Sequence, residues 1–154
     1  MNYSLPILLL IATIVAFFAL ARGGFSSFGT PQRVLCVLVA ISLFTSAVLL
    51  HFMRTTASAG IIPPIFPAHR FLILLTGVFE IAGAIGLFIP ALRRHAAFWI
   101  AVMMVAIFPA NIYAAGKVID GLRMPEVPLR TTMQIVYILL VLFAGYGIPR
   151  RRPN

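Results

Sequence analysis

"FLILLTGVFEIAGAIGLFI", Phe71 to Ile89, is the stretch that decides the fold. Its length is close to the roughly 20 apolar residues that a helix needs to cross a bilayer. It also carries one acid, Glu80, near its middle, in a chain with only three acidic residues. A run this long and apolar reads as a membrane span, and a carboxylate inside a span requires an explanation. The rest of the chain agrees with that reading: 62% of the 154 residues are hydrophobic, 10% are charged and the mean hydropathy is +1.07. A soluble domain has about half its residues apolar and about a quarter charged. Only helices and closed barrels satisfy every backbone group in lipid. Barrel strands alternate in polarity over about ten residues, and no such alternation occurs here. The expectation is an all-α membrane protein.

Working outward, five apolar blocks are expected to span, near Leu5–Ala21, Val34–Met53, Phe71–Ile89, Ala96–Ala115 and Thr131–Ile148. The connecting segments "RGGFSSFGTPQR", "RTTASAGIIPPIFPAHR", "PALRRH" and "GKVIDGLRMPEVPLR" are rich in turn formers and too short for a second domain. The short third loop makes the third and fourth spans antiparallel neighbours. Basic residues flanking the spans set the direction. With the N-terminus outside, Arg22, Arg33, Arg93, Arg94, Arg150, Arg151 and Arg152 fall on the cytoplasmic face. Arg54, Arg70, Lys117, Arg123 and Arg130 then fall outside. The larger basic set therefore favours N-out, C-in. "ALA" at Ala19–Ala21 resembles a signal-peptidase site, but "MNYSLP" has no Lys or Arg and the apolar run exceeds a usual h-region. Cleavage would also invert every later loop, so an uncleaved helix is expected.

Several function classes are set aside by composition and motif. A net charge of +9 suggests nucleic acid in a soluble protein; at membrane edges the same positives pair with anionic lipid headgroups. The single cysteine, Cys36, cannot form an internal disulfide, and no Cys-x-x-Cys pair exists for thiol redox chemistry. No Walker loop and no His-Glu-x-x-His occurs. His51 and His69 share one side of the membrane, but a third ligand at a recognisable spacing is lacking, so neither haem nor metal is expected.

The intramembrane polar residues cluster by depth. Glu80 lies midway along the third span, His51 at the outer end of the second, Asn111 a turn inside the fourth and Gln134 a turn inside the fifth. Arg130 precedes Gln134 by four residues and shares its helical face. Four helices thus send polar groups into one half of the membrane, whichever topology holds. On the face of Glu80, the positions three and four away are Thr76, Gly77, Gly83 and Ala84, all small. Such a face lets another backbone approach closely, so Glu80 is expected to point into the bundle. An ionised carboxylate there costs on the order of a few kcal/mol or more; protonation or a cation (Arg130, Arg70, Arg54 or His51) relieves it. The functional reading is a headgroup-binding or proton-relay site. The bland one is a buried hydrogen-bonded staple, and for Asn111 and Gln134 it is the stronger competitor. Pro109 in "FPAN" removes a backbone donor and is expected to free a carbonyl near Val105. "PPIFP", Pro63 to Pro67, stiffens the outer loop as a candidate lid.

Taken together, "HF" (His51–Phe52), "IIPPIFP", "TGVFEIAGAIGLFIPALRR", "FPANIYAA" and "PLRTTMQ" resemble the DoxX-like family of small bacterial membrane proteins, from about Arg33 to Ile148. That resemblance implies a four-helix transmembrane bundle over 33–154, ending in a basic tail, with 1–32 as an added N-terminal helix and loop. It places the protein in a bacterial plasma membrane. The family's closing motif resembles Arg-Leu-Pro-Leu-Gln; "RTTMQ" keeps Arg130 and Gln134 at the same separation and loses the proline. The resemblance further implies association with membrane redox systems, thiosulfate- or quinone-linked in some relatives. A quinone headgroup near His51, Glu80 and Arg130 is the corresponding ligand. The alternative is a non-catalytic accessory or assembly subunit of a larger complex, or a homo-oligomer.

Overall fold

Residues 5–24, 30–119 and 121–147 are described by the computed structural model. The basic triplet Arg150–Arg152, the expected span end at Ile148 and residues 25–29 of the first loop lie outside them. Helix α1 covers Leu5–Arg22, α2 Pro31–Ser46, α3 Thr55–Ala59, α4 His69–Phe88, α5 Arg93–Ala106, α6 Phe108–Ala114 and α7 Val127–Tyr146. Between α2 and α3, Ala47–Phe52 continues the helix as a π-helical turn. Among the described residues, four helices are long and apolar enough to cross a membrane: α1, α2 with its π-turn, α4 and α7. The bent pair α5–α6 supplies a fifth crossing if taken as one span.

Helix boundaries follow local chemistry. Thr30 caps α2 by accepting the Arg33 N–H at 3.3 Å, with Pro31 opening the helix. Pro128 opens α7, and Gly147 (φ 83°) ends it in a conformation that costs glycine little. The expected fourth span is not one straight helix. It breaks between Ala106 and Phe108 and turns by 42°, because Pro109 has no N–H to continue the ladder. One loop expected to be irregular also contains a small antiparallel ribbon, β1 (Val118–Ile119) paired with β2 (Leu122–Arg123). An Asp-Gly pair between them in the sequence is a hairpin signal.

The core is contributed by α2, α4, α5 and α7. Leu35, Cys36, Val39, Leu43, Leu87 and Val141 are among its buried residues. Neighbouring contacts run α2 to α4, α4 to α5, α5 to α7 and α7 back to α2, closing a ring of four. Helix α1 lies outside this ring, packed mainly on α2, and buries only Leu10 and Thr13. Cys36 fills the core, its Sγ donating to the Ala144 carbonyl at 3.1 Å. Phe79, Ile85, Phe88, Phe98 and Trp99 point outward and are exposed. An apolar exterior around a packed centre is what lipid demands, since water supplies no drive to bury these rings.

Candidate functional site

Small residues on α4 set the geometry around Glu80. A Cβ on Gly77 would lie 2.6 Å from the His51 Cβ and 3.0 Å from a Phe52 ring carbon, so the π-turn packs directly on the α4 backbone. On the other flank of Glu80, Ile100 of α5 fills the space over Gly83. Glu80 therefore faces inward, with 6% of its surface exposed.

The π-turn positions His51. Its extra residue per turn is seen in the Met53 N–H, which donates to Val48 O five residues back at 2.9 Å. Carbonyls at this helix end are taken by hydroxyls of the next segment. Thr55 Oγ1 donates to His51 O at 2.5 Å and Phe52 O at 3.1 Å, and Ser58 Oγ donates to Leu50 O at 2.7 Å. With this end fixed, the imidazole reaches α4. Its Nδ1 lies 2.9 Å from Ile73 O and its Nε2 lies 3.5 Å from Glu80 Oε2.

These distances constrain the protons. A carbonyl only accepts, so Nδ1 carries hydrogen and donates to Ile73 O. Nε2 and Oε2 then face each other, and two bare acceptors would repel. One proton belongs to the pair, on Nε2 as imidazolium against carboxylate or on the carboxyl against neutral imidazole. Either arrangement is neutral overall, which answers the desolvation cost of an acid at this depth. Glu80 Oε2 is fully buried and, among the described residues, has no hydrogen-bond partner beyond the 3.5 Å contact with His51, so its remaining acceptor capacity is open.

A second polar group joins α6 to α7. Arg130 Nη2 donates to Asn111 Oδ1 at 2.6 Å, and Asn111 Nδ2 donates to Gln134 Oε1 at 2.8 Å. Gln134 Nε2 donates to the Met104 carbonyl. That carbonyl is freed by the α5–α6 break, one residue before the expected Val105. The helix through "PLRTTMQ" is continuous, so Arg130 and Gln134 do share a face without the proline.

All five expected site residues, His51, Glu80, Asn111, Arg130 and Gln134, line one cavity of about 440 Å³ whose walls are mostly apolar. The counter-ion expectation narrows to one of its four candidates, His51. Among the described residues, Glu80 pairs with His51 and with no arginine. Arg130 is turned to Asn111, and Arg70 does not line this cavity. Other contributors emerge only in three dimensions. Tyr137 donates to Ser42 Oγ at 2.6 Å and both line the cavity; Tyr137 follows Gln134 by three residues, a spacing that places it on the same face. Leu5, Pro6, Leu9 and Leu10 of α1 form part of the wall, and Phe66 of the proline-rich loop lies at its edge. Among the described residues, no three His, Cys, Asp or Glu side chains gather as a metal site.

A family described as a domain of unknown function (DUF8561) matches residues 39–144, and the chain belongs to it. The match covers the second half of α2, all of α4 and α5 and most of α7, and leaves α1 outside. No curated protein and no solved structure matches the chain.

Proposed function

We propose that this DUF8561 family member is a multi-pass protein of a bacterial plasma membrane, of DoxX-like type, with its N-terminus outside and its C-terminus in the cytoplasm. Its pocket, in the outer half of the bilayer, binds a quinone-like amphiphile in the service of a membrane redox process. One observation carries this reading: polar residues from four separate helices converge on a single cavity with apolar walls. A volume of about 440 Å³ is within the usual range for small-molecule sites, which are lined in this mixed fashion. The open acceptor on Glu80 Oε2 and the guanidinium of Arg130 give a headgroup something to bind at opposite polarity, while the apolar wall takes its tail.

A bound quinone would supply two-electron redox chemistry coupled to proton exchange. The residues do the rest. His51 and Glu80 hold a single proton between them as a neutral pair; giving it up at Oε2 leaves one net negative charge, which the guanidinium of Arg130 on the same cavity offsets. The Asn111–Gln134 bridge keeps Arg130 at the rim. Purification in mild detergent, followed by an absorption spectrum and mass spectrometry of extracted lipophiles, tests the reading. Stoichiometric quinone that is lost in Glu80→Leu supports it.

A second reading has its own observation. Asn111, Gln134 and Arg130 bond one another and the Met104 carbonyl, as a helix staple does. On that reading the protein is an accessory or assembly subunit of a larger membrane complex. A clean spectrum, an extract free of redox lipophiles and a stoichiometric protein partner would decide for it.

A further inference from the structure

A second recess opens away from the Glu80 cavity. It has a volume of about 640 Å³ and is bounded by Phe52, Met53, Arg54, Thr56 and Arg70, with Ile119 of β1 on one side. Arg54 caps α3 just past the π-turn and Arg70 lies in the first turn of α4, so the two arginines stand at the same end of two antiparallel helices. Both are exposed. Among the described residues the carboxylates of Glu80 and Glu126 are paired with His51 and Arg123, and neither Arg54 nor Arg70 has an ion-pair partner. Both guanidiniums border this one recess.

Their surroundings select the kind of anion. Met53 is 71% exposed and Phe71, next to Arg70, 62% exposed, so apolar side chains stand directly beside the charges. This is the level at which the apolar helix surface gives way to polar loop, where lipid phosphates lie. A guanidinium matches a phosphate with two parallel N–H donors, and basic pockets between membrane helices bind lipid headgroups in this way.

We propose that Arg54 and Arg70 clamp the phosphate of an anionic lipid headgroup, with the Thr56 hydroxyl as an added donor and the acyl chains lying against Met53 and Phe71. The site shares Arg54 alone with the lining of the proposed amphiphile pocket and stands whatever that pocket holds. Arg54 also borders the Glu80 cavity, so the held lipid marks its rim.

Native mass spectrometry of the full chain in mild detergent provides the test, with phosphatidylglycerol, phosphatidylcholine and inorganic phosphate added separately. The wild-type chain retains phosphatidylglycerol in preference to phosphatidylcholine. Each of Arg54→Gln and Arg70→Gln weakens retention roughly fivefold, and the double variant roughly thirtyfold, from about 1 kcal/mol per basic residue at a membrane surface. The double Arg→Lys variant keeps the charge without the fork and falls in between, which separates recognition from loss of fold. Lys117→Gln, on the same face outside the recess, retains phosphatidylglycerol as the wild type does. Equal retention by the wild-type and double Gln chains overturns the clamp, as does an equal loss in Lys117→Gln. Inorganic phosphate that displaces phosphatidylglycerol at equal concentration overturns the lipid as the source of the anion.

Discussion

Gly77→Ala should loosen the site and the fold together, and the structure sets the size of the effect. The added Cβ would meet the His51 Cβ at 2.6 Å, whereas carbon atoms in good contact lie about 3.5–4.0 Å apart. Relief requires about 1 Å of separation, and a Cβ moves only with its backbone, so the π-turn must shift away from α4. The His51–Glu80 contact, already 3.5 Å, then passes beyond ion-pair range. Overpacking of this kind costs about 1–3 kcal/mol; replacing a glycine inside a helix returns about 1 kcal/mol. The net loss is about 0–2 kcal/mol, to which the broken pair adds. Gly83→Ala is the internal comparison. Its new Cβ would meet Cγ1 and Cδ1 of Ile100 at 2.6 and 2.7 Å, and these atoms can move by a change of rotamer. Gly83→Ala should therefore lie within about 1 kcal/mol of the wild type. Unfolding by rising sodium dodecyl sulfate in a mild-detergent background, followed by far-ultraviolet circular dichroism, ranks the variants. Equal stability of Gly77→Ala and Gly83→Ala would refute the proposed dependence on backbone packing at His51.

Three further outcomes follow from the same geometry. His51→Ala leaves Glu80 buried without its proton partner and should cost about 3–5 kcal/mol; adding Glu80→Gln should recover most of that loss, and a strictly additive double-mutant cycle would show that the two side chains do not interact. Gln134→Leu orphans the Asn111 amide and the Met104 carbonyl at once, with an expected loss of about 1–3 kcal/mol per unpaired group in the same unfolding assay; an unchanged midpoint would count against the bridge. For orientation, single cysteines at Thr56 and Ala91 lie at opposite ends of the bundle, and native Cys36 is buried. In intact cells an impermeant maleimide should label the first and spare the second, and the reverse pattern would invert the proposed topology.

Much of the architecture was written in local sequence. Span length and composition are one-dimensional properties, so α1, α2, α4 and α7 are legible to within a few residues of the apolar blocks. The inward direction of Glu80 follows from helical periodicity, because Thr76, Gly77, Gly83 and Ala84 share its face whatever the partner. Pro109 announces a break, since a missing N–H is a covalent fact. The carbonyl that Gln134 takes, Met104 rather than Val105, was not legible; it depends on how far the ladder frays before the proline and on which acceptor α7 can reach.

The pairing at the centre of the site belongs to tertiary structure alone. Sequence places four cations within possible reach of Glu80 and offers no means of choosing among them. The choice is made by the π-turn, which shifts the register of the last turn of α2 and aims His51 at Ile73 O and Glu80, and by Gly77, which lets that turn seat against α4. Arg130 is diverted to Asn111 by the 42° bend between α5 and α6. Composition and periodicity determined that this chain forms helices long and apolar enough to cross a membrane and that its polar residues gather in one half of them. Only the packing of those helices decided which polar atoms meet, because such contacts turn on shifts of an ångström and on rotations that no linear spacing records.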